Sequence, residues 1–268
     1  MGKCILCGSN KFEDLYDSLE RCTNCFLVRT RKKNEVNYKA YYRDFVYREY
    51  ESYFKNIYMK RFKLISRYVK SPGRVLEIGS SVGILLGIFK DKGWEVWGVE
   101  PSKSIKYSKK NAHKLLKSTF EKCRLPESYF DVVVLNHTLE HMENPRETLK
   151  KVNIILKRGG IVFIDVPNFG SLSSRISREY WKYLLTNEHT YHFTKSTLTK
   201  ILRKCNFEIV YSRSWSGIFD SDNVLKRFWF NFSNFKLNFF VDILDAFGNI
   251  VSTILDRGTN LVIIGKKK

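Results

Sequence analysis

Apolar and polar positions along this chain fall into two rhythms. Continuous apolar runs at residues 75–78, 95–99, 131–135, 161–166, 207–212 and 260–265 have the length of strands buried on both faces. Between them the apolar positions step by three and four, predicting helices after Gly83, over residues 146–156 and over 195–204, the last with Thr194 as its cap. Gly159-Gly160 reads as a turn before the 161–166 strand. Upstream, Tyr38, Tyr41, Tyr42, Tyr47, Tyr50, Tyr53, Tyr58 and Tyr68 alternate with Phe, Ile, Arg and Lys, predicting one or two helices against the sheet edge. Downstream, Leu237, Phe240, Val241, Leu244, Phe247, Val251, Ile254 and Leu255 keep the spacing of an amphipathic helix. Strands alternating with helices predict an α/β architecture built on a doubly wound, mostly parallel sheet.

The first two strands carry the chemistry. Val75-Leu76-Glu77-Ile78-Gly79-Ser80-Ser81-Val82-Gly83 is a strand running into a glycine turn, and the second strand ends in Glu100-Pro101 about twenty positions later. Gly79 and Gly83 let the backbone approach a ligand, and Glu100 sits where a carboxylate can accept both hydroxyls of a ribose. Glu77, placed before the turn, disfavours a pyrophosphate and favours a cationic or zwitterionic ligand.

On these residues the chain resembles the class I S-adenosylmethionine-dependent methyltransferases, with Ser81 where the middle glycine of their first motif is commonest. The resemblance continues through residues 131–136 and His137-Thr138-Leu139-Glu140-His141 with Asn144-Pro145, and covers about half of the chain, residues 73–210. It implies a seven-stranded Rossmann-like methyltransferase fold whose closing strand, residues 260–265, is antiparallel beside the sixth. It also implies that Glu77, Gly79, Ser80, Ser81, Gly83, Glu100, Pro101, Asn136 and His137 hold S-adenosylmethionine, leaving S-adenosylhomocysteine as product. His137 and His141 are spaced as half a metal site, but the sequence offers no third ligand beside them.

Cys4-x-x-Cys7 and Cys22-x-x-Cys25 are two thiol pairs with Gly8 after the first, the pattern of a closed, structural Cys4 zinc ribbon. Cys123 and Cys205 stand alone and read as buried apolar side chains. Glu188-His189-Thr190-Tyr191-His192-Phe193-Thr194 follows the fifth strand, so its histidines reach the carboxyl-end rim where an acceptor must approach. His189 or His192, with Glu188, is the candidate general base. A similar stretch occurs in quinone-type O-methyltransferases and in zinc-ribbon sugar methyltransferases, which implies an oxygen, or less readily a carbon, of a small-molecule or sugar/glycan acceptor.

Composition changes the picture in one respect. The 268 residues carry a net charge of +20, which suits nucleic acid, but the excess is spread: +8 over residues 1–72, +9 over 73–210 and +3 over 211–268. The densest run, Lys103, Lys106, Lys109, Lys110, Lys114 and Lys117, fits one face of a helix after Glu100 and reads first as a solvated face. An RNA-modifying methyltransferase and a non-catalytic S-adenosylmethionine-binding interaction protein therefore stand as alternatives. The expected organisation is a zinc ribbon at 1–35, a tyrosine-rich helical lid and linker at 36–72, and a methyltransferase domain at 73–268 with a helical cap inserted at about 216–257. The apolar stretch 219–256 leaves three roles open: substrate cap, contact with a membrane or lipid-linked substrate, or homodimer interface. With neither a secretory signal nor a spanning segment in sight, the expected location is the cytoplasm.

Overall fold

The computed structural model describes residues 2–31, 44–70, 72–216 and 251–268. Tyr38, Tyr41, Tyr42 and all of the expected cap except its two ends lie outside the described residues. The ribbon contributes strands β1 (Phe12–Tyr16), β2 (Leu19–Cys22) and β3 (Val28–Thr30). Two helices follow, α1 (Asp44–Glu49) and α2 (Glu51–Ile65). The main sheet begins with β4 (Arg74–Ile78), α3 (Ile84–Asp91), β5 (Glu95–Val99), α4 (Ile105–Ser108) and β6 (Lys114–Leu116). It continues through β7 (Phe130–Asn136), α5 (Pro145–Ile155) and β8 (Leu156–Pro167), then α6 (Leu172–Ser177), β9 (Tyr191–His192), α7 (Lys195–Lys204), β10 (Phe207–Trp215) and β11 (Asn260–Lys267).

Seven strands form one sheet in the order β10-β11-β8-β7-β4-β5-β6. The strands from β8 across to β6 are parallel, whereas β11 runs antiparallel to both β8 and β10, as the resemblance implied. Chain order reverses beside β4, so β4 and β7 end at the switch point where such sheets bind ligands. Both faces are covered. Leu76, Ile78, Val133, Leu135, Val162 and Ile164 look toward α5 and α7, while Val75, Val132, Val134, Ile161 and Phe163 look toward α2 and α3. Helix α5 starts on an Asn144 cap that accepts the Glu147 N–H, with Pro145 at its first turn, and α7 starts on the Thr194-Thr197 capping box.

Three elements depart from the sequence reading. Helix α2 lies on a face of the sheet, with Leu64 and Ile65 packed in the cluster of β4, β7 and β8, rather than at the sheet edge. The lysine-rich helix after Glu100 stops at Ser108, because residues 114–116 pair with β5 and the His113 Nδ1 accepts the Val96 N–H, so the six lysines do not form one helical stripe. Gly159-Gly160 is no turn: Gly159, at φ +76°, sits inside the continuous strand β8, where the pairing with β7 shifts register. Among the described residues no helix is long and apolar enough to cross a membrane.

The second sheet has the order β1-β2-β3-β9. Its last strand is not part of the ribbon but the segment carrying His192, paired antiparallel to β3.

Candidate functional site

A cavity of about 560 Å³ opens at the carboxyl ends of β4, β5 and β7. One wall is the turn after β4. Gly79, Ser81 and Gly83 all have left-handed φ (75°, 48° and 78°), so the chain reverses tightly and its N–H groups close the turn on itself, Gly79 and Ser80 donating to the Val99 carbonyl and Gly83 to the Ser80 carbonyl. A Cβ on Gly79 would stand 2.5 Å from Thr138 Oγ1, and one on Gly83 2.5 Å from Ser108 Cβ, so neither position admits a side chain. Glu100 is buried and holds this turn itself: Ser81 N–H donates to its Oε2 and Ser102 N–H to its Oε1, both at 2.8 Å. Each oxygen keeps a second lone pair for a ligand hydroxyl.

Three polar groups of this wall are buried with no hydrogen-bond partner: Glu77 Oε2 and the hydroxyls of Ser80 and Ser81. Burial and the nearby Glu100 charge push the Glu77 carboxyl well above the usual carboxylate range. A polar cationic ligand would relieve both, by pairing the orphaned atoms and by favouring the ionised acid. S-adenosylmethionine, a sulfonium carrying an amino acid and a ribose, meets that test, and Pro101 also lines the cavity.

The opposite wall is a histidine cluster. His137 follows β7 at φ 49°, a strained value for a residue with a side chain, and its N–H donates to the Asp165 carbonyl at 2.7 Å. Its Nδ1 stands 3.6 Å from Glu140 Oε1. Glu140 is 1% exposed and neither carboxylate oxygen has a hydrogen-bond partner. Although burial opposes its charge, His137 first, then His141 and His189, hold its pKa down to about 2. His137 itself is raised, because the Glu140 and Asp165 carboxylates outweigh the burial that would lower it. His189 is buried, its Nε2 4.0 Å from Glu140 Oε1 and its ring edge-on to His141 at 4.8 Å. His141 donates from Nδ1 to the Glu188 carbonyl at 3.0 Å. The fold does not complete the His137–His141 pair but forms a different donor set without His137: donor atoms of Glu140, His141 and His189 all lie within 4.8 Å of one another.

Asn136 is fixed from behind. Its Oδ1 accepts from Arg61 Nε at 3.1 Å, and the same guanidinium pairs with Asp165 Oδ2 at 2.6 Å. Arg61 and Asp165 are both buried, so α2 is tied to the carboxyl ends of β7 and β8 by a desolvated ion pair.

The sequence-predicted residues therefore divide. Those of the glycine turn, with Glu100, Pro101, Asn136, His137, Glu188 and His189, line one cavity. His192 does not: its Nε2 is 3.1 Å from Thr30 Oγ1, its ring packs near Phe169, and burial lowers its pKa to about 3. Sequence reasoning passed over Glu140, although it stands between the two histidines it serves, and Asp165, whose signal was an acid inside an apolar strand. Arg61 had none, being one of many basic residues in its helix.

The four thiols gather at the ribbon, Cys4 Sγ 3.4 Å from Cys25 Sγ and Cys7 Sγ 3.5 Å from Cys22 Sγ, with no disulfide. Tetrahedral zinc thiolates, with bonds of about 2.3 Å, need sulfurs about 3.8 Å apart. Gly8 and Phe26 close the two knuckles alike, at φ 78° and 65°, their N–H groups donating to the Cys4 and Cys22 carbonyls. The quartet is thus suited to a zinc ion.

Residues 47–212 match the family described as a methyltransferase domain. An uncharacterized protein of Methanocaldococcus jannaschii is 29% identical over 49% of this chain and 63% of its own length. A ubiquinone biosynthesis O-methyltransferase of a Bradyrhizobium species is 30% identical over 48% of this chain and 56% of its own length. The chain thus spans under two thirds of either relative. A solved S-adenosylmethionine-dependent methyltransferase of Archaeoglobus fulgidus superposes with a TM-score of 0.57 at 22% identity, over 83% of this chain and all of that one.

Proposed function

The chain belongs to the methyltransferase domain family, and from that premise we propose that it is an S-adenosylmethionine-dependent enzyme that methylates an oxygen of a small-molecule or sugar-type acceptor. The observation that carries the reading is one cavity with two chemically distinct walls, a glycine turn backed by Glu77 and Glu100 facing a Glu140–histidine cluster. The donor supplies, when bound, an electrophilic methyl carbon on a sulfonium leaving group. Glu77, Gly79, Ser80, Ser81, Gly83 and Glu100 would hold it, with Asn136 and His137 at its side. His189 takes the proton from the acceptor hydroxyl while Glu140 stabilises the imidazolium that forms, so charge is created next to a carboxylate already in place. Glu188 contributes its carbonyl, which fixes the His141 ring. The Bradyrhizobium relative, an O-methyltransferase, agrees with oxygen as the acceptor atom. Zinc in the ribbon would be structural, since four thiolates leave no open position.

A second reading rests on Glu140, His141 and His189 as a donor set: a divalent cation there would polarise the acceptor oxygen directly. Transfer of labelled methyl groups into polar-metabolite, glycan, lipid and RNA fractions of cell extract, with Glu100→Ala as blank, tests the main reading. Label in a nuclease-resistant polar or glycan fraction is expected; nuclease-sensitive label would replace it with RNA modification, and no label in any fraction would leave a binding protein. Turnover that vanishes with a chelator and returns with magnesium or manganese would favour the cation.

A further inference from the structure

The ribbon is joined to the main domain by strand pairing as well as by packing. Its third strand does not end in solvent but extends a sheet into the loop that carries the acceptor-side histidines, pairing Val28 with His192 and Arg29 with Tyr191. Beyond that register, Thr30, which faces Leu19 of β2 on its other edge, makes two hydrogen bonds to the loop. Its N–H donates to the Thr190 carbonyl at 3.0 Å and its hydroxyl donates to the His189 carbonyl at 2.7 Å. A hydroxyl has one hydrogen, so the 3.1 Å contact to His192 must be Nε2–H donating to Thr30, which also fixes the His192 tautomer.

The loop's other side is tied to the cavity wall. Thr190 N–H donates to the Glu140 carbonyl at 2.8 Å, and His141 Nδ1 donates to the Glu188 carbonyl at 3.0 Å. Residues 188–192 are therefore a middle layer, with ribbon strand β3 on one side and the Glu140-His141 turn on the other. The ribbon is itself anchored to the main domain. Lys204 Nζ donates to the Leu6 carbonyl at 2.7 Å, and Leu19 and Val28 pack with Trp181 and Leu184, next to Tyr183 and Leu185 of the cavity lining. Cys22 closes β2 and Cys25 lies three residues before β3, so ligation of the thiols fixes the strand that presents Thr30.

We propose that the ribbon is a working part of the acceptor site and that Thr30 is the positioning residue that sets the His189 imidazole. The proposal rests on His189 acting at the acceptor side, as above. Thr30 holds the backbone carbonyl of that residue itself, in a buried setting where water does not substitute for a lost donor. Without it the carbonyl is released, and the ring that faces Glu140 moves with its backbone.

Thr30→Val keeps the shape and removes the hydroxyl; Thr30→Ser keeps the hydroxyl. The full chain with labelled histidines gives five imidazole signals, assignable by single substitutions. Thr30→Val is expected to shift the signals of both His192 and His189. It is also expected to slow methyl-label transfer into extract by about 10- to 100-fold while the Kd for S-adenosylmethionine stays within about twofold, the signature of lost positioning. Thr30→Ser should return both readouts. An unmoved His189 signal in Thr30→Val, or donor affinity falling in parallel with rate, overturns the proposal. Should the wild-type chain transfer no label while the His189 signal still moves and is restored by Ser, the functional reading fails and the positioning role stands.

Discussion

The two walls of the cavity are assembled by opposite strategies. The donor wall is one contiguous stretch, residues 77–102, whose strand, turn and carboxylate brace one another through Ser81 and Ser102 N–H bonds to Glu100. The acceptor wall joins three remote pieces, and the bond from Thr30 to His189 spans 159 positions. Local continuity makes the first wall cheap to order, whereas the second exists only once the ribbon, the 137–141 turn and the 188–192 loop have docked. Damage to the first should appear as lost donor affinity, and damage to the second as lost rate.

The largest expected effect tests that division directly. His189→Ala should lower the rate of methyl transfer by about 10²- to 10⁴-fold, the usual contribution of a general base, and leave S-adenosylmethionine binding as it is. Glu100→Ala should do the reverse in a calorimetric titration, weakening the donor by about 10- to 100-fold through loss of charged hydrogen bonds. Equal loss of donor affinity in both variants would mean that the walls are not separable.

Next in size is the bond that joins the walls to helix α2. Arg61→Met removes the guanidinium paired with buried Asp165, whose other oxygen has no hydrogen-bond partner and only His137 Nε2 at 4.0 Å. A loss of about 3–5 kcal/mol in urea unfolding is expected, and most of it should return in Arg61→Met with Asp165→Leu, where no charge remains buried. An unchanged midpoint in the single variant would show that water reaches Asp165.

The same contrast explains what could be read from the chain. The donor wall was legible because its determinants are local: a glycine where φ must be positive, an acid at a strand end, a fixed spacing between them. The sheet order and the antiparallel last strand came with that motif, since they follow from the family it resembles. The acceptor wall was legible only in part. His189 and Glu188 stood out as residue types, but no periodicity tells which of two histidines three positions apart faces a cavity. His192 turns away because its side chain meets the Thr30 hydroxyl and the Phe169 ring. Arg61 and Thr30 acquire their roles from partners 75 or more and 159 positions away, and such contacts leave no mark in a single sequence; Glu140 has His137 and His141 beside it in the chain, but its partner His189 lies 49 positions off. Helix α2 was misplaced for a related reason: its apolar face was visible, the surface it covers was not.

A smaller effect comes from acid. His192 is lowered to about 3 from 6.5 by burial and, next, by His189, so the unfolded chain binds its proton first. Its contribution is fully present above pH 6.5 and is lost as pH falls toward 3, with a slope of at most about 1.4 kcal/mol per unit for one proton. Glu140, held down to about 2 against 4.5, adds a loss of the same sign below pH 4.5. Unfolding midpoints measured from pH 7 to 4 should fall, and His192→Phe should flatten the upper part of that curve. A curve equally steep in His192→Phe would assign the acid loss to other groups.

The smallest effect sharpens the comparison from the donor side. Ser81 holds φ 48° and buries a hydroxyl with no partner, two costs that the free protein bears at the position where glycine is commonest. Ser81→Gly removes both, against the extra freedom that glycine gives the unfolded chain, for a net gain of about 0–1 kcal/mol. In a domain of this size that is a rise in Tm of about 0–4 °C. The Glu100 bond is to the Ser81 backbone N–H and survives the change. If the Ser81 hydroxyl is there for the donor, the gain should shrink or reverse when saturating S-adenosylmethionine is added, because only the wild type then finds a partner for it. A gain of the same size with and without the donor would make Ser81 a plain variation in the turn, and would leave Glu77 and Ser80 as the groups that wait for the ligand.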